Sequence, residues 1–579
     1  MGNVGAGALT EMPEPIAGVR VSNAAAAAGG RDAESLGEAL ARRRYEAARE
    51  RRAITGRDFE VLALAGSVAV GRAGAFTGAV AWPLGHDDEV VVLLVPAVGA
   101  HGRPGWRVPM ETLVEREDAR VRGDVQRLLD GRRPLSTSVV TGWARYKPVS
   151  VRGRVVVPAE EDPEAVRGRL VERLNQVISP LPAAGRNDGW PFGEPLRASD
   201  VTAVVEQCAP EKSRLEELRF VVRDAPDGQI RAVGVDPSRG DVWYSGAGEV
   251  LFRSVNGGSG WEAVGRFPGE DVRRVIGNGA RPGTLAVVTR TAEGPSRLYL
   301  SSDFGESWAR LAELEPVVTG AAWVAREGDA TLLLSTDSGL YEVAPVPGAI
   351  PLQVMVDQAD VDRGFAAVSS FVTAGGVPGV AIAAQANLGV YLSTDAGRTG
   401  TFTGIGLAGA DVRALAVRVD GEAAVLWAGL GESDPNKPGR GCQRARLLEG
   451  AVRWEQVNSG WTGGTCWDLA FDGTAVLAAT QSAGVSRLDG GGSGPSWKPA
   501  NVNGGLPLRD RTRFQPVTAL AVAAGGRALA GTNSGVYLRT GSDQWAAIAN
   551  RETHESVTIP PTWLLCSDEH DIEVVRETA

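Results

Sequence analysis

SSDFGESW, Ser301 to Trp308, fits the pattern S-x-D-x-G-x-[ST]-W in full, with Ser301, Asp303, Gly305, Ser307 and Trp308 in the fixed places. Those residue types at that spacing describe a tight turn. Short polar side chains bond nearby backbone, glycine supplies a left-handed residue, and tryptophan offers a large body to pack. STDAGRT repeats it with Ser393, Asp395 and Gly397 but no tryptophan, and SVNGGSGW is a degenerate copy with Ser254, Asn256, Gly258 and Trp261. The starts lie 47 and 92 residues apart, one period and then two. A period between 40 and 50 residues governs every local assignment around it.

A second landmark, a Gly-apolar-Tyr strand start, recurs at Gly339-Leu340-Tyr341, Gly389-Val390-Tyr391 and Gly535-Val536-Tyr537, with Gly484-Val485-Ser486 as a weaker copy. Together the landmarks mark seven units, beginning near Gln229, Asp271, Val317, Phe365, Asp411, Thr465 and Val517. Each unit carries an apolar strand such as VRALAV (412–417) followed by another such as LWAGL (426–430). Short strands repeating at this period predict an all-β, seven-bladed propeller over residues 226–550. The turn motif is then an Asp box, a structural hairpin element, and its residues are structural rather than catalytic.

Composition narrows the function classes. A net charge of −10 argues against nucleic acid as the main partner. No run of about 18 apolar residues predicts a spanning helix. The first residues lack the basic start and apolar stretch of a secretory signal. The four cysteines, Cys208, Cys442, Cys466 and Cys566, show no C-x-x-C spacing and read as buried thiols, with a Cys442–Cys466 bridge left open. His86, His101, His554 and His570 are scattered singly, so no metal site and no cofactor are expected.

Upstream of the repeats the grammar is different. Residues 1–30 read as a mobile arm, and 32–52 as a charged, alanine-rich helix. Thr55 with Asp58 forms a capping box for a second helix. Val90–Val95 has the length of a covered strand, 113–129 is amphipathic, and a helix is expected from Asp162 to Ile178 with Pro163 in its first turn. In NDGWPFGEPLRASDV (187–201), Trp190, Pro191, Phe192 and Gly193 make a rigid aromatic corner, and Ser199 is read as the next N-cap. The corner followed by a short helix and the strand EELRF (216–220) resembles the C-terminal half of baseplate J-like proteins of contractile phage tails and contractile injection systems. ITGRDFEVLAL (54–64), VVVLLVPA (90–97), 113–137 and YKPVSVRGRVVV (146–157) follow in the order of that family.

The resemblance implies a multidomain chain: an α/β (α+β) baseplate J-like domain at 31–225, the propeller inserted at 226–550, and strands at 551–579 returning to the first domain near 215–222. It further implies a structural wedge role, linking spike and hub to sheath and relaying the contraction trigger. Partners would be other wedge proteins, sheath or tube initiators and spike-hub proteins, assembled in the cytoplasm into a phage-tail-like particle that acts there or after release. The alternative is a propeller that binds a cell-surface glycan or an adaptor protein. An enzyme is weighed because Asp-box propellers occur among sialidases and other glycoside hydrolases. Arg273, Arg274, Arg413 and Arg444 are available for an arginine triad, but the Phe/Tyr-Arg-Ile-Pro opening is absent, so no catalytic residue is assigned. Trp461 and Trp467 are read as packing between blades rather than as a sugar platform.

Overall fold

The computed structural model describes residues 4–12, 17–26, 52–81, 88–98, 107–182, 189–222, 225–258, 260–326, 329–357, 362–421, 423–434, 436–447, 451–490, 495–548 and 551–577. The helix expected at 32–52 lies outside them apart from its last residue, as does part of the N-terminal arm. The chain forms two compact units, Met1–Arg223 with Asn550–Ala579, and Asp224–Ala549.

The second unit is a β-propeller of seven sheets, six of four strands and one of three. In the sixth blade an isolated bridge, Arg487 to Lys498, stands where the fourth strand would be. The inner strands are Ile230–Val235, Asp271–Gly277, Val318–Arg326, Phe365–Val372, Val412–Asp420, Cys466–Asp472 and Val517–Val522. Each packs beside the next and the seventh packs beside the first, so the ring closes. Second strands such as Ala475–Thr480 and Ala528–Thr532 are buried along their whole length. They read as continuous apolar runs because a neighbouring blade covers each face. Leu332, Leu333 and Leu334 show the result, all 0% exposed, each contributing roughly 1.5–3 kcal/mol of burial.

Among the described residues no strand is exchanged to seal the ring, since the seventh blade is built from 517–547. Closure rests on Ile230, Trp243 and Trp261 packing with Ala523, Leu529 and Val536. Thr518 Oγ1 donates to Ile230 O at 3.0 Å, and Gln229 Nε2 to Asn533 Oδ1 at 2.9 Å.

The first unit holds a three-stranded sheet in which Glu89–Pro96 pairs antiparallel with Val70–Thr77 and parallel with Ser138–Trp143. Helices Gly56–Gly66 and Ala119–Asp130 supply Phe59, Leu62, Val125 and Leu129 to its core. Thr55 caps the first of them in a full capping box with Asp58. In a second sheet Arg145–Val157 is flanked by Arg214–Val222 and by two parallel strands, Trp563–Ser567 and Asp571–Arg576; Arg551–Thr553 extends its edge by pairing with Arg214–Val222. Helices Pro163–Val177 and Ala198–Cys208 cover that sheet through Val166, Leu170, Val201 and Val204. Ser199 is not the N-cap of the last helix. Arg197 holds that place, and its amide donates to Asp200 Oδ2 at 2.8 Å, so the acidic residue in the first turn does the capping.

The α/β baseplate J-like fold expected from the resemblance is corrected. The chain is mostly β, 45% strand against 12% helix, with seven of its sheets propeller blades, and no α/β baseplate domain is indicated. The stretches that carried the resemblance are a capping box, an apolar strand, an amphipathic helix and an aromatic corner. Any unit that packs helices on a sheet supplies these in some order, so their sequence along the chain does not define that family.

The corner itself is a packing hub. Trp190 is 1% exposed and donates through Nε1 to Glu194 O at 2.8 Å. Arg72 reaches Trp190 O at 2.6 Å and stacks over the Phe192 ring at 4.8 Å, while Phe76 meets that ring edge-on at 5.3 Å. Pro191 is exposed on the turn, and the Gly193 amide donates to Trp563 O at 2.9 Å, tying the corner to the returning C-terminal segment.

Candidate functional site

The Asp boxes lie in the hairpin between third and fourth strands, away from the axis of the ring. Ser301 Oγ donates to Asp303 Oδ1 at 2.7 Å and accepts from Gly305 N at 2.8 Å, and Ser307 N reaches Asp303 Oδ1 at 2.9 Å. Ser254, Asn256, Gly258 and Gly260 repeat this at 2.8–2.9 Å. Ser393 accepts from Asp395 N at 3.2 Å and from Gly397 N at 3.1 Å. Each box uses two consecutive left-handed residues, Gly257-Gly258, Phe304-Gly305 and Ala396-Gly397. Trp308 Nε1 donates to Val264 O of the preceding blade at 2.9 Å, and Trp261 to Gly258 O of its own turn at 3.0 Å. Every polar atom of the boxes named here is spent on its own hairpin or the neighbouring blade.

The axial end of the ring differs. All seven inner strands carry a bulge near their start, at the second residue in six of them and at the third in Asp271–Gly277, seen as a register shift after Ile230, Val272, Val318, Phe365, Val412, Cys466 and Val517. The inner strands of a closed ring of identical meanders run in one sense, so the bulges stand at one level around one mouth of the channel. A bulge puts two residues opposite one and re-aims the extra side chain. Here the extra residues are Arg231, Arg273, Thr319, Ala366, Arg413, Trp467 and Thr518.

Two of these finish the ring. Thr319 Oγ1 donates to Phe365 O at 2.6 Å, as Thr518 does to Ile230 O, each capping an edge carbonyl of the next blade. One residue further in, Arg274 donates to Thr319 O at 2.8 Å, and Asp468 accepts from Leu520 N at 2.9 Å. Burial pushes the Asp468 carboxyl above the usual value, against two backbone amide bonds and the Arg274 charge.

The other large side chains reach outward. Arg231 Nη2 donates to Gln229 Oε1 at 2.6 Å, Arg273 Nη2 lies 3.1 Å from Asp271 Oδ2, and Arg413 Nε lies 2.9 Å from Asp411. The same triplet, an acceptor, an apolar residue and arginine, recurs in three blades. Each arginine is steadied by the residue two before it and keeps further N–H groups. Arg273 Nε is shut off from solvent without a partner. Burial and the neighbouring Arg231, Arg290 and Arg274 charges hold the Arg273 guanidinium below its ordinary value, with Asp271 opposing.

Trp467 corrects the sequence reading. It is 39% exposed, while Trp461 is 6% exposed and packs on Trp497 at 5.1 Å. The bulge after Cys466 turns Trp467 out of the blade interface and into the mouth. Beneath it the buried thiols of Cys442 and Cys466 lie 4.0 Å apart, unbonded.

One cluster in the first unit has the composition of a hydrolase dyad but not its proton order. Val151 N–H donates to His570 Nδ1 at 3.0 Å, so the proton sits on Nε2 and points at Ser567 Oγ, 2.7 Å away; Ser567 in turn donates to Asn175 at 2.6 Å. A histidine that donates to serine cannot take its proton. Burial holds His570 at about 4. The unfolded chain protonates it near 6.5, so its contribution to stability is complete above pH 6.5 and is lost as pH falls from 6.5 to 4, by up to about 3 kcal/mol. Burial lifts Glu117 to about 7, and that group acts in the opposite sense, losing stability as pH rises from 4.5 through 7. Urea midpoints against pH for the full chain and for His570→Gln isolate the first effect: the variant should lose the fall between pH 6.5 and 4, and an unchanged slope would refute the assignment.

Among the described residues no three His, Cys, Asp or Glu side chains gather as a metal site, and no helix is long and apolar enough to cross a membrane. No family model and no curated protein matches the chain. Solved structures with a similar fold include a GH74 xyloglucanase from Xanthomonas campestris, at 17% identity over 57% of this chain and 56% of that one, with a TM-score of 0.42. Others are YCF48 from Cyanidioschyzon merolae, at 14% over 55% and 98% with TM-score 0.37, and Sqt1 from Saccharomyces cerevisiae, at 12% over 57% and 98% with TM-score 0.38. The chain spans little more than half the length of the xyloglucanase. The expected membership of the baseplate J-like proteins is overturned, since no family model matches any part of the chain.

Proposed function

We propose that this chain is a propeller-based recognition module, whose ligand, a segment of another protein or a glycan, is read at the axial mouth. The observation that carries this is the ring of bulges, which aims Arg231, Arg273, Arg413 and an exposed Trp467 at one opening. Arginine and tryptophan are the side chains that most often dominate a binding interface.

A non-catalytic role is part of the reading. Asp271 and Asp411 are each held by the arginine two residues on, and Asp468 accepts two backbone amides. These three carboxylates of the bulged segments are thus engaged as structural acceptors, which speaks against their serving as the acid and base pair of a glycoside hydrolase.

The test is capture by the full chain on glycan and peptide arrays, with Trp467→Ala beside it. A retained ligand whose capture falls about tenfold in the variant is the expected result. Arrays with no retained ligand, or a ligand indifferent to Trp467, would sink the reading. Release of reducing sugar from sialosides or β-glucans would overturn its non-catalytic part.

A further inference from the structure

The mouth is unevenly charged. On the first two blades Arg273 is surrounded by Arg231, Arg274 and Arg290, with Asp271 beside Arg273 and Asp468 of the sixth blade facing Arg274 as the opposing carboxylates. Asp271 and Arg290 are cross-strand partners, which places Arg290 at the same end of the blade. Across the ring, the fifth and sixth blades present Arg413, its side chain 47% exposed, and Trp467. This cationic patch stands in a chain whose net charge is −10. Like charges gathered against the sign of the whole molecule cost stability unless something of opposite charge visits them.

The donors define that visitor. A guanidinium presents parallel N–H groups that match the two oxygens of a carboxylate. Arg231 and Arg273 are each anchored on one side by Gln229 and Asp271, so their forks are held in place before a ligand arrives. The Nε of Arg273 is shut off from solvent, so a ligand meets this side chain at its Nη groups, beside Asp271. A neutral glycan would bring hydroxyls and ring faces, whereas the mouth offers one exposed indole and a surplus of cations.

Resting on the recognition reading above, we infer that the mouth binds an acidic peptide segment of a partner protein, its carboxylates clamped by Arg231 and Arg273 and its backbone lying against Trp467. The partner is identified by charge complementarity: a stretch rich in Asp and Glu with few side chains too bulky for the channel opening. Steering by the patch accelerates capture at low ionic strength.

The probe is a fluorescein-labelled hexaglutamate peptide, titrated into the full chain and followed by anisotropy, with hexagalacturonate and hexalysine as unlabelled competitors. Expected are saturable binding, weakening as salt rises, displacement by unlabelled hexaglutamate, and indifference to hexalysine. Arg231→Gln and Arg273→Gln should each weaken binding about tenfold or more. Circular dichroism checks their folding, and Arg231→Lys, which keeps the charge and loses the fork, should fall between. Hexagalacturonate displacing the probe better than hexaglutamate would overturn the proposal in favour of an acidic glycan. Hexaglutamate binding indifferent to both Gln variants would overturn the site. If the arrays yield a Trp467-dependent neutral ligand while hexaglutamate stays unbound, the acidic-peptide inference falls and the recognition reading stands. Silence from every ligand fails both.

Discussion

Replacing Arg253 with alanine should destabilise the propeller by about 3–5 kcal/mol, the cost of removing one partner of a buried ion pair. The Arg253 side chain is 0% exposed. Its Nε donates to Glu262 at 2.7 Å, Nη1 to Phe304 O at 2.9 Å, and Nη2 pairs with both Glu262 and, at 2.8 Å, Glu306. Tyr244 shares the Phe304 carbonyl at 3.3 Å. Glu262 belongs to the first blade and is 8% exposed, while Phe304 and Glu306 lie in the Asp box of the second. One side chain therefore fixes the hairpin of one blade against the outer strand of another. Alanine would leave the Glu262 charge buried without a counter-ion, at the expense of much of the 5–15 kcal/mol typical of a folded domain. Urea denaturation followed by tryptophan fluorescence should show a lower midpoint. Arg253→Met with Glu262→Met, which removes both charges and keeps the volume, should recover most of the loss. A double variant as damaged as the single would refute the ion-pair explanation and point to packing alone.

The propeller was legible because its signal is local and repeated. Gln229, Asp271, Val317, Phe365, Asp411, Thr465 and Val517, read as unit starts, sit within one residue of the first residues of the seven inner strands. The box turns bond mostly within eight residues, and such chemistry survives in a linear reading. The mouth was not legible, since its side chains come from four blades and meet only when the ring closes. A signal existed in the triplets Gln229-Ile230-Arg231, Asp271-Val272-Arg273 and Asp411-Val412-Arg413, each at the start of a repeat. Trp467 was assigned to packing because a bulge cannot be seen in a sequence, and one extra residue reverses which face a side chain takes. The baseplate resemblance failed for the opposite reason: it rested on elements too common to discriminate. Ser199 lost its capping place to Arg197 because Asp200, one residue further on, is the better acceptor at that spacing.

Gly193→Val should cost about 2–5 kcal/mol in the first unit. Gly193 has φ +69°, and a Cβ there would stand 2.7 Å from Pro561 Cα and 2.8 Å from Pro561 O. The left-handed conformation alone costs a non-glycine residue roughly 1–2 kcal/mol, and overpacking against fixed backbone adds roughly 1–3. Neither side can yield easily. Gly193 N is bonded to Trp563 O at 2.9 Å, and Trp563 opens a strand paired with Arg145–Val157, so a shift of Pro561 would disturb the second sheet. On the other side, Trp190 and Phe192 hold Arg72 and Phe76 of the first sheet. The valine would therefore loosen the junction of a strand from each sheet with the C-terminal return. Gly123 provides the contrast: in the middle of helix Ala119–Asp130 it has nothing within 4 Å of an added Cβ, so Gly123→Ala should stabilise by up to about 1 kcal/mol. Urea midpoints moving in opposite directions for the two glycines would confirm that backbone geometry, and not glycine content, sets the effect. A Gly193→Val protein with an unchanged midpoint would mean that the corner does not join the two sheets.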